Sequence, residues 1–294
     1  MTADTLAVIV RWRGGDEVDA CVRSLLAHGG PRLAGVVLVD SGSQDGGAER
    51  LARIFPEITV VALDRNIGFA HAANRGAAEG RAPGILLLNP DTEVLPNALD
   101  RLTTGLDADP RIAGTVPLLV GPDHAPQHRW QLRRLPSVSR LASGRPGAPV
   151  FSTPPTTLQP VPQPAAAAWL VRRSVWEALG GLDERFAPAW WEDVDFCARL
   201  EKALDDPAFP VGRGFVVRPE SMILHRGGSS VASLGEAAFQ IAYHRNLLRY
   251  CDRHHPDRFS AIRRLLRLKI AAMSILRPRQ RTAWLAAGEA VRTT

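Results

Sequence analysis

Residues 37–47 read VLVDSGSQDGG, and residues 85–94 follow the same plan as ILLLNPDTEV. Each opens on an unbroken apolar run and breaks into a turn, at Asp40 in the first and at Asn89-Pro90-Asp91 in the second. A strand with one wet face alternates polar and apolar residues. An unbroken run belongs to a strand covered on both faces, as in a parallel sheet between helices. Residues 6–10 (LAVIV) and 59–63 (TVVAL) read as two more strands of this kind. Residues 16–28, 48–54, 69–79 and 96–106 read as the helices around them. Gly29-Gly30 ends the first helix, and Pro96 suits the first turn of the last. In such α/β sheets ligands collect beyond the carboxyl ends of the strands. The candidate positions are therefore residues 11–13, 40–43, 64–66 and 89–91.

The second half is less regular. Residues 117–164 hold 11 of the 23 prolines and predict a long irregular excursion, a lid or a mobile loop. Regularity returns at 166–171 and 174–179. Trp190-Trp191-Glu192-Asp193 then leads into a helix over 194–203. His225 closes a β-like run at 222–224 and precedes Arg226-Gly227-Gly228-Ser229-Ser230. No internal repeat is visible.

Composition excludes several classes. With 294 residues, 45% hydrophobic and 22% charged, the chain has ordinary globular usage, which excludes wholesale disorder. The three cysteines are far apart and form no CxxC pair, which excludes a disulfide framework or zinc ribbon and predicts a reducing compartment. No run approaches the ~20 apolar residues of a membrane span, and the first residues lack the cationic region of a signal peptide. The expected location is cytoplasmic, with a peripheral place on the inner face of the plasma membrane as a further expectation. Net charge is +6, but residues 261–294 carry +7 and the rest −1. Between Asp123 and Glu177 there are seven arginines and no carboxylate, a segment suited to phosphates or to a lipid surface if it is not simply solvated. No nucleic-acid partner is expected.

GxGxxG after a strand, GxxxxGK[ST] and GxSxG are all absent, which disfavours a dinucleotide enzyme, a P-loop kinase and an α/β-hydrolase. What remains is a set of loop carboxylates and one histidine. Asp40 can accept hydrogen bonds from a base or ribose, or form an Asx turn. Asp91, held by a proline, can bind Mg²⁺ or Mn²⁺, although Asn-Pro-Asp is also a common turn. Glu192-Asp193 sits between tryptophans and a helix start, where burial can raise a carboxylate toward general-base range and where capping is the alternative role. His225 can ligate a metal or serve the structure.

Taken in this order, the motifs resemble those of the family 2 glycosyltransferases, inverting enzymes of GT-A fold, over about residues 6–230. Residues 66–76 (NIGFAHAANRG) resemble the family's Asn-x-Gly-Phe-Ala…Asn-x-Gly segment, and LLLNPDTEV stands at the DxD metal motif. WWEDVDFCARL is similar to the acceptor-side Glu-Asp region, and HRGGSS to the His-x-x-Gly-x-Ser element. The rhamnosyltransferase-like enzymes of bacterial polysaccharide and cell-wall assembly are the most similar subgroup. The resemblance implies a mostly parallel GT-A sheet flanked by helices, with a C-terminal helical tail. It implies a catalytic domain over 1–230: a nucleotide-sugar half (1–115), a Pro/Arg-rich loop (116–165) and an acceptor half (166–230). A helical basic region follows over 231–294.

The implied reaction moves a sugar from a nucleoside-diphosphate sugar, with dTDP-rhamnose or a similar dTDP-linked deoxyhexose as the donor the subgroup suggests, to a hydroxyl of a glycan or lipid-linked acceptor. Asp193 would be the base and Glu192 would contact the acceptor. Asp40, Ser41, Asp64, Asn66, Asn74 and Asn89 would lie at the donor, with Arg226 near the leaving group. Asp91 and His225 would hold Mg²⁺ or Mn²⁺. Two departures stand out: Arg11-Trp12-Arg13 replaces a polar turn, and the DxD position keeps one carboxylate. A nucleotidyltransferase and a catalytically silent nucleotide-sugar-binding subunit are the alternative readings. In the tail, Phe259, Ile262, Leu266, Ile270 and Met273 share one helical face beside several arginines. That face predicts peripheral membrane contact through 259–281, or else packing on the enzyme body or in a homodimer.

Overall fold

The computed structural model describes residues 4–228 and 234–293. The chain runs β1 (Thr5–Arg11), α1 (Asp16–His28), β2 (Leu33–Asp40), α2 (Gly47–Ile54), β3 (Thr59–Ala62), α3 (Phe69–Ala78) and β4 (Gly84–Leu88). All residues of β1 and β4 are buried. The apolar runs are unbroken because both faces are covered. Val8, Val10, Val37 and Val39 pack on one side with Ala72 and Ala73 of α3. Ala7, Ile9 and Leu38 pack on the other with Val18, Cys21 and Leu25 of α1.

Next come β5 (Thr92–Val94), α4 (Ala98–Ala108), β6 (Ile112–Val120), α5 (His128–Gln131), β7 (Leu132–Arg133) and α6 (Val138–Ala142). They are followed by β8 (Gln159–Val161), β9 (Gln163–Pro164), β10 (Ala168–Arg172), α7 (Arg173–Ala178), α8 (Glu192–Ala203) and β11 (Arg213–His225). The main sheet has the order β3-β2-β1-β4-β10-β6-β11-β5, with β8 also on β11. It is parallel from β3 to β4, and β10 then enters antiparallel to both β4 and β6. β5 follows β4 closely in the chain yet pairs with β11 at the far edge, with Thr92 opposite His225. The turn at residues 89–91 therefore crosses the strand ends from the sheet's centre to its rim.

The proline-rich excursion is built of short pieces and is not structureless. Not all of the seven arginines between Asp123 and Glu177 face outward. Arg172 donates to the carbonyls of Ile112, Leu106 and Asp109, and Arg173 to those of Ala82 and Ala77. These two are spent inside the fold, while Arg129, Arg134 and Arg145 are exposed.

Three helices close the chain: α9 (Glu236–His254), α10 (Phe259–Leu276) and α11 (Arg281–Thr293). The tail face expected to meet a bilayer turns inward instead. Ile262, Leu266 and Ile270 are buried in one cluster with Leu247 and Leu248 of α9, Trp284 and Ala287 of α11, and Trp191 before α8. Packing on the enzyme body is thus the role this face takes. Among the described residues, no helix is long and apolar enough to cross a membrane.

Candidate active site

A cavity of about 600 Å³ opens beyond the strand ends, walled by Asn89, Asp91, Trp130, Arg133, Glu192, Asp193, His225 and Tyr243 among others. It shares Phe69, Asn89, Ala189 and Trp190 with a narrower arm of about 100 Å³ that is lined by Trp12, Glu17, Ser41 and Asn66. The two form one cleft.

The β5–β11 pairing brings Asp91 to His225. Asp91 Oδ1 lies 3.6 Å from His225 Nε2, and Asp91 Oδ2 accepts the Gly227 N–H at 3.1 Å. Gln127 sets the tautomer. Its Nε2 donates to the His225 carbonyl at 2.8 Å, so its Oε1, 2.9 Å from Nδ1, must accept the Nδ1 proton. In the neutral ring, Nε2 then turns its lone pair toward the carboxylate. Trp130 stacks on the ring with centroids 5.1 Å apart. Burial lowers the His225 pKa and favours neutral imidazole, against the opposing pull of Asp91. A neutral imidazole nitrogen facing a carboxylate oxygen could ligate a divalent cation, and the carboxylate is the oxygen donor that Mn²⁺ and Mg²⁺ prefer. Among the described residues no cluster of three His, Cys, Asp or Glu side chains forms. A cation here would take its other ligands from water and from a bound phosphate, as Mg²⁺ usually does.

Glu192 and Asp193 open α8 after an unusual turn. Trp190 and Trp191 both adopt positive φ, 72° and 77°, a conformation that costs on the order of 1–3 kcal/mol for a bulky residue. Packing holds it: Trp191 lies 5.5 Å from Tyr243 and 5.4 Å from Tyr250, and Trp190 meets Phe239 edge-on. Asn246 of α9, fully buried, donates from Nδ2 to the carbonyls of Ala189 (2.8 Å), Trp190 (3.1 Å) and Ala187 (3.4 Å). An Asn246→Ala protein should lose about 1–3 kcal/mol, the cost of buried carbonyls left without a donor. A shifted urea midpoint at constant slope would register this, and an unchanged midpoint would refute it.

The two carboxyls differ. Asp193 Oδ1 accepts the Val194 N–H (2.8 Å) and Oδ2 accepts Gln163 Nε2 (3.1 Å), with Arg133 Nη2 at 3.7 Å. Burial raises its pKa, and the Arg133 charge works against that rise. Among the described residues, the buried Glu192 Oε2 has no hydrogen-bond partner. Burial and the charge of Asp193 push its pKa well above the usual carboxylate range, which favours the neutral acid.

Of the expected donor-side residues, Ser41, Asn66 and Asn89 lie on the cleft wall. Four others do not. The buried Asp40 accepts the Ser43 N–H at Oδ1 (2.8 Å) and the Arg11 guanidinium at Oδ2, so its carboxylate is occupied below Ser41. Asp64 is exposed outside the cleft. Asn74 ties down another loop, donating to Leu182 O (2.8 Å) and Glu184 Oε1 (3.0 Å) and accepting the Leu182 N–H (2.9 Å). Arg226 pairs with Glu93 at the surface. Ser229 and Ser230 of the HRGGSS element lie outside the described residues. Gln127, Gln163, Trp130 and Asn246 were not singled out from sequence. The first three sit in the proline-rich stretch, where no periodicity marks them, and Asn246 lies on a helix whose partner was unknown. Arg133 was visible only as one of seven arginines.

The model of the family described as "Glycosyl transferase family 2" matches residues 7–179. The N-acetylglucosaminyl-diphospho-decaprenol L-rhamnosyltransferase of Mycobacterium tuberculosis (strain ATCC 25618 / H37Rv) is 28% identical over 297 residues, which cover 93% of this chain and 92% of that protein. Among solved structures, the mannosyltransferase PcManGT from Pyrobaculum calidifontis in complex with GDP-Man and Mn²⁺ superimposes with a TM-score of 0.57 at 15% identity, over 100% of this chain and 87% of that one. GalNAc-T7 with UDP, GalNAc and Mn²⁺ gives 0.60 at 18% identity over 84% of this chain, which spans about half of that longer protein (48%). The two superpositions share the fold, and the family model covers more than half of the sequence, including the turns that carry Ser41, Asn66 and Asp91: the chain belongs to glycosyltransferase family 2.

Proposed function

We propose that the protein transfers a rhamnose-class sugar from a nucleoside-diphosphate donor to a hydroxyl of a lipid-diphosphate-linked sugar, with inversion at the anomeric carbon. The observation that carries this reading is that Asp91, from the first half of the chain, and Glu192, Asp193 and His225, from the second, face one cavity. The sugar and the acceptor class rest on the name of the mycobacterial relative, which matches nearly end to end.

In this reading the nucleoside occupies the arm beside Ser41, Asn66 and Trp12, and the diphosphate lies over the 89–91 turn. Asp91 and His225 would hold Mg²⁺ or Mn²⁺, which offsets the charge gathering on the departing diphosphate. Asp193 takes the proton from the acceptor hydroxyl. The new C–O bond forms as the bond to the diphosphate oxygen breaks, and the electron pair leaves with that oxygen. Gln163 and Arg133 hold Asp193 aimed at the cavity. Burial favours the neutral acid of Glu192, and in that form its carboxyl can donate to an acceptor oxygen.

A thermal-shift series of nucleoside diphosphates with and without Mn²⁺ tests the donor side. Binding at a hundredfold excess over Kd adds about 2.7 kcal/mol of stability. Asp91→Ala should abolish the Mn²⁺-dependent part of the shift and keep the rest. Transfer from dTDP-rhamnose to a lipid-diphosphate-linked N-acetylglucosamine tests the reaction itself. If no nucleoside diphosphate raises the melting temperature, the reading fails.

A further inference from the structure

The outward side of α10 takes no part in the core. Leu265, Leu268, Ile275 and Leu276 are 52, 62, 79 and 72% exposed. At 100° per residue these four, with exposed Ala261 and Ala272, fall in a stripe about 100° wide, away from the buried Ile262, Leu266 and Ile270. Exposed Arg264 lines one edge, with Arg267 farther round on the same side, half-buried Lys269 lines the other, and exposed Arg277, Arg279 and Arg281 follow the helix end. Residues 258–288 contain eight cations and no carboxylate. Lys269 lies against Gly144, beside Arg145, in the loop whose Pro146 lines the cleft. The cationic edge therefore reaches the mouth of the site.

Single exposed leucines are ordinary on soluble proteins. An apolar stripe rimmed by arginines on an in-plane helix is the pattern of an interfacial helix. A second copy of this face would set cations against cations, whereas an anionic surface complements them. We propose that α10 seats the protein on an anionic lipid bilayer, with Leu265, Leu268, Ile275 and Leu276 in the headgroup–acyl boundary and the flanking arginines on lipid phosphates. The proposal stands apart from the reaction above; if both hold, the bilayer brings a lipid-linked acceptor to the cleft.

The test is co-sedimentation of the full chain with vesicles of phosphatidylcholine and phosphatidylglycerol, and with phosphatidylcholine alone. The expected result is binding to the anionic vesicles at low ionic strength, release by salt and little binding to the neutral ones. Leu268→Glu/Ile275→Glu should lower partitioning about tenfold or more, with the melting temperature and nucleotide shift unchanged. Each Arg→Gln at 277 or 279 should lower it about fivefold, the effect of one cation near an anionic surface. If the double Glu protein misfolds, Leu268→Ser/Ile275→Ser carries the comparison. Three results would overturn the proposal: no sedimentation with anionic vesicles at low salt, undiminished binding by the substituted protein, or a dimer in solution that Leu268→Glu dissolves, which would assign the face to a second copy.

Discussion

An Asp193→Asn protein should turn over about 10²–10⁴-fold more slowly, the range that general-base assistance contributes, while nucleoside-diphosphate binding stays near the parent value. The change removes the proton acceptor of the proposed reaction and leaves the shape of the cleft. Asp91, His225 and the arm around Ser41 and Asn66 are untouched, so the thermal shift given by the donor's diphosphate should persist. A turnover within about threefold of the parent would remove Asp193 from the role of base. The reaction's pH dependence offers a second check. Burial raises the Asp193 pKa and the Arg133 charge opposes it. A base works deprotonated, so turnover should fall as pH drops through this raised value, above the ordinary aspartate value of about 3.9. Arg133→Gln deletes the opposing charge and should move that acid limb to higher pH. Movement to lower pH would contradict the assignment.

Much of this arrangement was open to inspection in the sequence, for physical reasons. Parallel strands buried on both faces must be apolar throughout, so their ends, and the turns beyond them, stand out. Helix α1 spans the predicted residues 16–28, set off by Gly15 and Gly29. Strand direction was not legible, because an apolar run carries no arrow: β10 reads alike whether parallel or antiparallel. β11 was seen only at its last residues, since Arg218-Pro219-Glu220 interrupts its pattern where its register against β6 shifts. Helix α10 has two apolar stripes, and periodicity favoured the one that the fold buries. Which stripe meets the core depends on α9 and α11, elements outside its own pattern. Asp40 shows the same limit on the cleft side. A carboxylate at a strand end can face a ligand or a neighbouring strand, and the strand pairing decides which.

That pairing sets Arg11 opposite Asp40 at the ends of β1 and β2, and Arg11→Met should destabilise the protein by about 3–5 kcal/mol, the cost of leaving one partner of a buried ion pair alone. The Arg11 side chain is 1% exposed and that of Asp40 5%. The guanidinium also holds Asp45 Oδ2 (2.7 Å) and the Gly14 carbonyl (3.3 Å). A side chain at Gly47 would sit 2.5 Å from the guanidinium nitrogens, so the start of α2 is shaped to this arginine. Lysine would not substitute, because one ammonium cannot reproduce a planar fork shared by two carboxylates. The Arg11→Met/Asp40→Asn double change removes both buried charges and should recover a large part of the loss, since the introduced amide oxygen can still accept the Ser43 N–H. Urea midpoints for the four proteins of this cycle measure the coupling, and strict additivity would show that the pair is not interdependent. Ser41 N–H donates to the Arg11 carbonyl (2.8 Å), and Ser43 Oγ accepts the Arg13 N–H (2.6 Å). Loss of the pair should therefore loosen the arm of the cleft and weaken nucleoside-diphosphate binding in the single variant more than in the double one.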